Sequence, residues 1–209
     1  MLRRTVLTCC VIGLAVVGTT RGAEVDSVAI NGSFEEDVNL DADPWVGWVT
    51  WGAEDGLLSE VELDETDFVD GTRSLRVEPV GAVNWHFIII NAAVPLEIGE
   101  EYTATFWAKA DAARALSAKF KAMDNSIDWG FTDFVVTTDW EEYQLTGEAL
   151  NDSIKFEFWV SGSETPVWLD FFNVYMGPYV AGVDPDLSAN AVEPAGKLST
   201  AWAELKAAR

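Results

Sequence analysis

Trp107 and Trp159 each follow a phenylalanine in a stretch where apolar and polar residues alternate. Phe106 and Phe158 therefore fall on the apolar side, and the two tryptophans fall among threonine, lysine and glutamate on the other. An indole on a solvent-facing surface is unfavourable unless something covers it. Its flat ring suits the C–H face of a sugar, provided neighbouring polar groups bond the hydroxyl rim. Glu157, on the parity of Trp159, and Asn91 are the candidate hydroxyl partners. The chain holds ten tryptophans, and Trp48, Trp51 and Trp129 are candidates for loops or a rim. For every one of these rings, ordinary packing or cover by the C-terminal tail is the alternative use. Lys109, Lys119 and Lys121 share the outward parity of two consecutive strands. They mark either a positive spot suited to an acidic glycan or the ordinary decoration of a solvated face.

The inventory for catalysis is thin. His86 is the sole histidine, and no Gly-x-Ser-x-Gly, His-Glu-x-x-His or glycine-rich phosphate loop occurs. Glycoside hydrolysis needs only two carboxylates, but no pair stands out among the 35 aspartates and glutamates. The expectation is a protein that is not an enzyme.

The elements that must position these side chains are short alternating runs separated by Gly, Asp, Asn and Pro, the pattern of antiparallel strands. The clearest cover 102–110, 115–123 and 154–161. Others are expected at 27–30, 45–51, 57–63, 74–78, 85–91, 131–136, 140–146 and 167–176. That number of short strands predicts an all-β fold, a two-sheet antiparallel β-sandwich of jelly-roll type. After Pro178 the composition turns to a linker. Residues 197–209 follow as a short helical tail with Leu198, Trp202 and Leu205 on one side, a candidate docking segment for the domain or a protein partner.

At the other end, Arg3 and Arg4 precede an apolar run and small residues up to Ala23, the layout of a secretory signal, so residues 1–23 are expected to be removed. The run is too short to span a bilayer, and no membrane insertion is expected after cleavage. Cys9 and Cys10 both lie in that segment, which leaves the exported chain without thiols or disulfides. The full chain carries a net charge of −22. Removing Arg3, Arg4 and Arg21 from its 13 bases leaves ten against 35 acids, a net of −25. So acidic a molecule repels nucleic acid and anionic membranes.

Several motifs, in their order, resemble the family 4/9 carbohydrate-binding modules, the CenC-type module with a galactose-binding-like jelly roll. They are Asn31-Gly32-Ser33-Phe34-Glu35, Gly71-Thr72-Arg73-Ser74-Leu75-Arg76-Val77, Trp85-His86-Phe87, the stretch from Leu96-Glu97-Ile98-Gly99 into 101–110, Trp140-Glu141-Glu142-Tyr143, and Val167-Trp168-Leu169-Asp170. The resemblance covers residues 25–177. It implies a non-catalytic module that binds poly- or oligosaccharide, with Trp85 on the strand lining the binding sheet. It also implies a structural calcium ion held by Glu35, Asp170 and main-chain carbonyls such as those of Asp70 or Arg73. This chain departs from the pattern at Ile88, where many relatives carry glutamine, and at Phe171, where they carry asparagine. A structural or adhesive jelly roll that has lost its sugar site is the alternative reading, and a small glycosidase or lyase comes last.

Overall fold

The computed structural model describes residues 23–41, 45–183 and 185. The expected export segment, up to residue 22, and the expected tail helix with Trp202 lie outside them. Ten strands run β1 (Gly47–Gly52), β2 (Glu60–Asp64), β3 (Ser74–Glu78), β4 (Phe87–Pro95), β5 (Glu101–Ala110), β6 (Arg114–Ala122), β7 (Asp128–Val136), β8 (Glu141–Glu148), β9 (Ser153–Trp159) and β10 (Val167–Met176). They form two five-stranded antiparallel sheets, ordered β1-β4-β9-β6-β7 and β2-β3-β10-β5-β8. This is the expected jelly-roll sandwich.

Alternation explains how the sheets face each other. On β5, Tyr102, Ala104, Phe106 and Ala108 are buried, and on β9 Ile154, Phe156 and Phe158 are fully buried, so each strand turns its apolar side to the space between the sheets. There Phe106 of the second sheet meets Phe158 of the first edge to face at 4.9 Å between ring centroids, and Phe158 packs at 5.4 Å on Phe172 of β10. Such contacts add roughly 0.5–1.5 kcal/mol each beyond the area they bury. Trp48 belongs to this core and not to a rim. It stacks at 4.6 Å on Phe34, and its indole N–H donates to the Asn31 carbonyl at 2.8 Å.

Three expected strands differ in detail. Residues 27–30 form no strand, although the Val28 N–H donates to the Val174 carbonyl at the end of β10. The run at 57–63 divides into a 3-10 turn, Gly56–Leu58, and β2. Trp85 and His86 lie in a second 3-10 turn, Asn84–His86, so β4 begins only at Phe87. This last difference decides which side chains reach the open face of the first sheet.

In β10 the register with β5 shifts between Asp170 and Asn173, and Phe171 adopts a left-handed φ of 44°. Asparagine, the residue that the resemblance leads one to expect there, enters this region far more readily than a phenylalanine does. The shift returns Phe172 to the core and leaves Asp170 fully buried.

Candidate functional site

Strand register assembles the open face of the first sheet in three rows. In the first row Trp51 of β1 opposes Ile88 of β4, Ile88 opposes Trp159 of β9, and Trp159 opposes Ser117 of β6. The second row runs Val49, Ile90, Glu157, Lys119, and the third Gly47, Ala92, Lys155, Lys121. Strands that are far apart in sequence thus place aromatic, apolar and charged side chains side by side. Of these, Trp51, Ile88, Trp159, Ile90, Glu157, Lys119, Lys155 and Lys121 join Trp45, Trp85 and Asn125 in lining a groove of about 600 Å³, within the roughly 300–1,000 Å³ common for ligand sites.

The floor of the groove is apolar. Val49, Ile88, Ile90 and Ala92 form a cluster separate from the main core, with Trp45, Met123 and Trp159 packed against it. One wall is a pair of exposed tryptophans, Trp51 at 40% and Trp85 at 41% exposure, with ring centroids 6.4 Å apart. Trp159 stands opposite, edge-on to Phe131 at 5.3 Å, and its N–H donates to Glu157 Oε2 at 2.9 Å. Three ammonium groups surround that carboxylate: Lys119, Lys121 and Lys155 Nζ each lie 3.7 Å from a Glu157 oxygen. Lys119 donates to Asp128 Oδ2 at 2.5 Å and sits 4.3 Å from the centre of the Trp159 ring. Lys155 donates to Asn125 Oδ1 at 2.6 Å and lies 5.1 Å from the Trp45 ring. Burial in the first place pushes the Lys155 ammonium below the ordinary lysine range; Lys121 and Lys119 add to this push and Glu157 opposes it. The lysine bonded to Asp128 holds that carboxyl below its usual range.

The "Carbohydrate binding domain" family CBM_4_9 matches residues 26–160. The chain belongs to this family. Solved structures agree in fold with this carbohydrate-binding domain. One, described as "CBM4 structure and function", shares 21% identity over 71% of this chain and 99% of its own, at a TM-score of 0.56. A putative sugar binding protein from Bacteroides thetaiotaomicron superposes at a TM-score of 0.58, with 11% identity over 73% of this chain and all of its own, 100%. The CBM22-1 xylan-binding domain of Paenibacillus barcinonensis Xyn10C does so at 0.52, with 15% identity over 75% of this chain and 97% of its own. No curated protein matches the chain.

Within this carbohydrate-binding domain, the candidates Trp51, Trp85, Trp159, Glu157, Lys119 and Lys121 share the groove, whereas Trp107, Lys109, Asn91, Trp48 and Trp129 lie elsewhere. Trp107 is on β5 of the second sheet, opposite Asp170 and Glu142, so it points away from the groove across the thickness of the sandwich. Lys109 is on the same face as Trp107. It forms an ion pair with Asp67 and lies 4.8 Å from the Trp168 ring centre. Asn91 has the inward parity of Phe87 and Ile89. It is fully buried, accepts from the Ile30 N–H at 3.1 Å and donates to the Ile30 carbonyl at 2.8 Å, which anchors the N-terminal segment. Trp129 stacks on the core ring of Phe120 at 5.8 Å. Trp45, Asn125, Lys155 and Ile90 were not singled out by sequence reasoning, and Ile88 only as a departure from the family pattern. For Lys155 a usable signal existed, since it shares its parity with Glu157 and Trp159.

The carboxylates expected to hold calcium converge on one turn. Asp170 Oδ2 accepts from the Val69 and Asp70 N–H groups at 2.8 and 2.9 Å, and Oδ1 accepts from Phe171 at 2.7 Å. Glu35 takes the Thr72 N–H at 2.8 Å, the Thr72 hydroxyl at 2.7 Å and the Arg73 N–H at 3.3 Å. The Arg73 guanidinium donates to the Glu35 carbonyl at 2.6 Å. Among the described residues no lysine or arginine pairs with Asp170. Burial above all, with the like charge of Asp70, raises its carboxyl to about 7 against the bonds that it accepts. Asp170 and Glu35 both hold the turn of residues 69–73, through N–H and hydroxyl donors, and they are the side chains that would hold a hard divalent ion there. Among the described residues no three His, Cys, Asp or Glu side chains gather as a metal site, so main-chain oxygens and water would complete the coordination.

Proposed function

We propose that the chain is a secreted, non-catalytic protein that captures an oligo- or polysaccharide in the groove between Trp51, Trp85 and Trp159. The observation that carries this reading is the exposed Trp51–Trp85 pair at the mouth of an apolar groove on a carbohydrate-binding domain. Aromatic rings on an open face offer stacking surface to sugar C–H groups, and the adjoining lysines, Glu157 and Asn125 offer donors and acceptors to hydroxyls. The non-catalytic reading is supported by the groove's lining, in which Glu157 is the one carboxylate among the described residues, whereas hydrolysis of a glycosidic bond commonly uses two. Secretion is supported by the N-terminal layout described above. Among the described residues no helix is long and apolar enough to cross a membrane. The proposal includes a structural calcium ion held by Glu35, Asp170 and main-chain oxygens. It would supply positive charge to the buried carboxylate, away from the groove.

Titration of the purified protein against a polysaccharide panel tests the reading. Trp85→Ala and Trp159→Ala should each remove on the order of 1–3 kcal/mol, weakening binding about tenfold or more, with circular dichroism unchanged. A folded wild type that binds no glycan in the panel would refute the binding role. Release of reducing ends from any member would overturn its non-catalytic part.

A further inference from the structure

The groove holds three of the 13 lysines and arginines in a chain whose net charge is −22. Two of them are nearly inaccessible: Lys119 is 4% exposed and Lys155 5%. Sequestering ammonium groups from water is unfavourable unless anions or hydrogen bonds compensate for it. Glu157 lies 3.7 Å from all three lysines, too far for a direct hydrogen bond to any of them. Asp128 engages Lys119, while Lys155 bonds only the neutral Asn125 amide. Lys121 makes no hydrogen bond among the described residues and is the most accessible of the three, with its side chain 24% exposed. Counting both carboxylates against the three ammonium groups leaves an excess of positive charge on one face of a strongly acidic molecule.

A neutral sugar can bond these donors and the Glu157 and Asn125 acceptors, but it leaves the excess positive charge uncompensated. An ammonium only donates, and three of them gathered around one carboxylate repel one another. An anionic substituent settling beside Lys121 would complete the set, with Trp51, Trp85 and Trp159 left for the ring faces. Building on the proposed sugar site, we infer that the groove selects a glycan whose sugars carry an anionic group, a uronic carboxylate or a sulfate ester. The rest of the surface argues against general attraction as an explanation. A molecule this acidic repels polyanions at long range, so whatever affinity it has for one must arise in the groove.

The test compares each acidic glycan with its neutralised form on the same backbone: polygalacturonate against its methyl ester, and a sulfated galactan against the desulfated polymer. Affinities are measured by calorimetry near physiological ionic strength. The charged member of one pair should bind on the order of tenfold tighter, and the pair that shows the preference identifies carboxylate or sulfate. Lys121→Gln should abolish that preference and Lys121→Arg should retain it. Equal affinity within both pairs, or a preference that survives Lys121→Gln, would overturn the inference while leaving the sugar site standing. No binding to any of the four polymers, or to neutral xylan and β-glucan, would remove the site and the inference together.

Discussion

The side chains of β5 and β9 show what alternation tells about a single residue. Phe106 and Phe158 are core rings, and Phe106→Ala should cost about 3–5 kcal/mol of folding free energy through the cavity it leaves, read as a lower denaturation midpoint with the m-value unchanged. Trp107→Ala, on the outward side, should cost less than Phe106→Ala and leave any glycan titration as in the wild type. Loss of glycan affinity in Trp107→Ala would refute the assignment of the groove to the first sheet. Parity made the facing of Trp107 and Trp159 legible, because side chains alternate strictly along a strand. It could not reveal that the two tryptophans look out from opposite sides of the sandwich, since that depends on which sheet each strand joins. Lys109 and Lys119 were separated for the same reason: β5 and β6 follow one another in the chain, yet belong to different sheets.

At the level of elements, most strands were legible, and the misreadings came from irregular backbone. Residues 74–78 and 167–176 form strands with the expected bounds. The stretch 85–91 reads as one alternating run, but the 3-10 turn at Asn84–His86 shifts Trp85 out of phase with β4. Hence Trp85 reaches the groove, whereas Asn91, counted on its parity, is inside. Arg114, at the start of β6, is a second irregular feature that periodicity does not disclose. It is 4% exposed, and its guanidinium donates to the carbonyls of Ala115, Val160 and Thr165, tying β6 to the end of β9 and the loop beyond. Burial lowers its affinity for a proton to a pKa of about 10, still charged at neutral pH. Arg114→Met fills similar space but leaves those carbonyls without their donor, so it should lower stability by roughly 2–4 kcal/mol. Hydrogen exchange should then speed up first at the β9 end and in residues 160–166. A uniform change, or none, would show that the guanidinium does not organise this edge.

For the whole molecule, composition disclosed the excess of acid but not its distribution, because a sum of charges has no coordinates. Three lysines gather on one face, and two carboxylates, Glu35 and Asp170, gather on the turn that joins residues 69–73 to β3. The second gathering bears on global stability. Asp170 is fully buried, and burial together with the like charge of Asp70 raises its carboxyl to about 7, so ionising it is less favourable in the folded chain than in an unfolded one. An ion bound only by the folded state shifts the equilibrium by mass action, about 2.7 kcal/mol when calcium stands at a hundred times its dissociation constant. For a domain of this size, roughly 2–4 °C per kcal/mol translates that into a melting temperature about 5–10 °C higher in calcium than in excess EDTA. Glu35→Gln should reduce the difference, since it keeps an oxygen but removes the charge. Because the turn is separate from the Trp51–Trp85 wall, the chelated protein measured well below its melting temperature should keep its glycan affinity. Melting curves that coincide with and without chelator would show that backbone N–H groups alone sustain Asp170, and would remove the ion from this molecule.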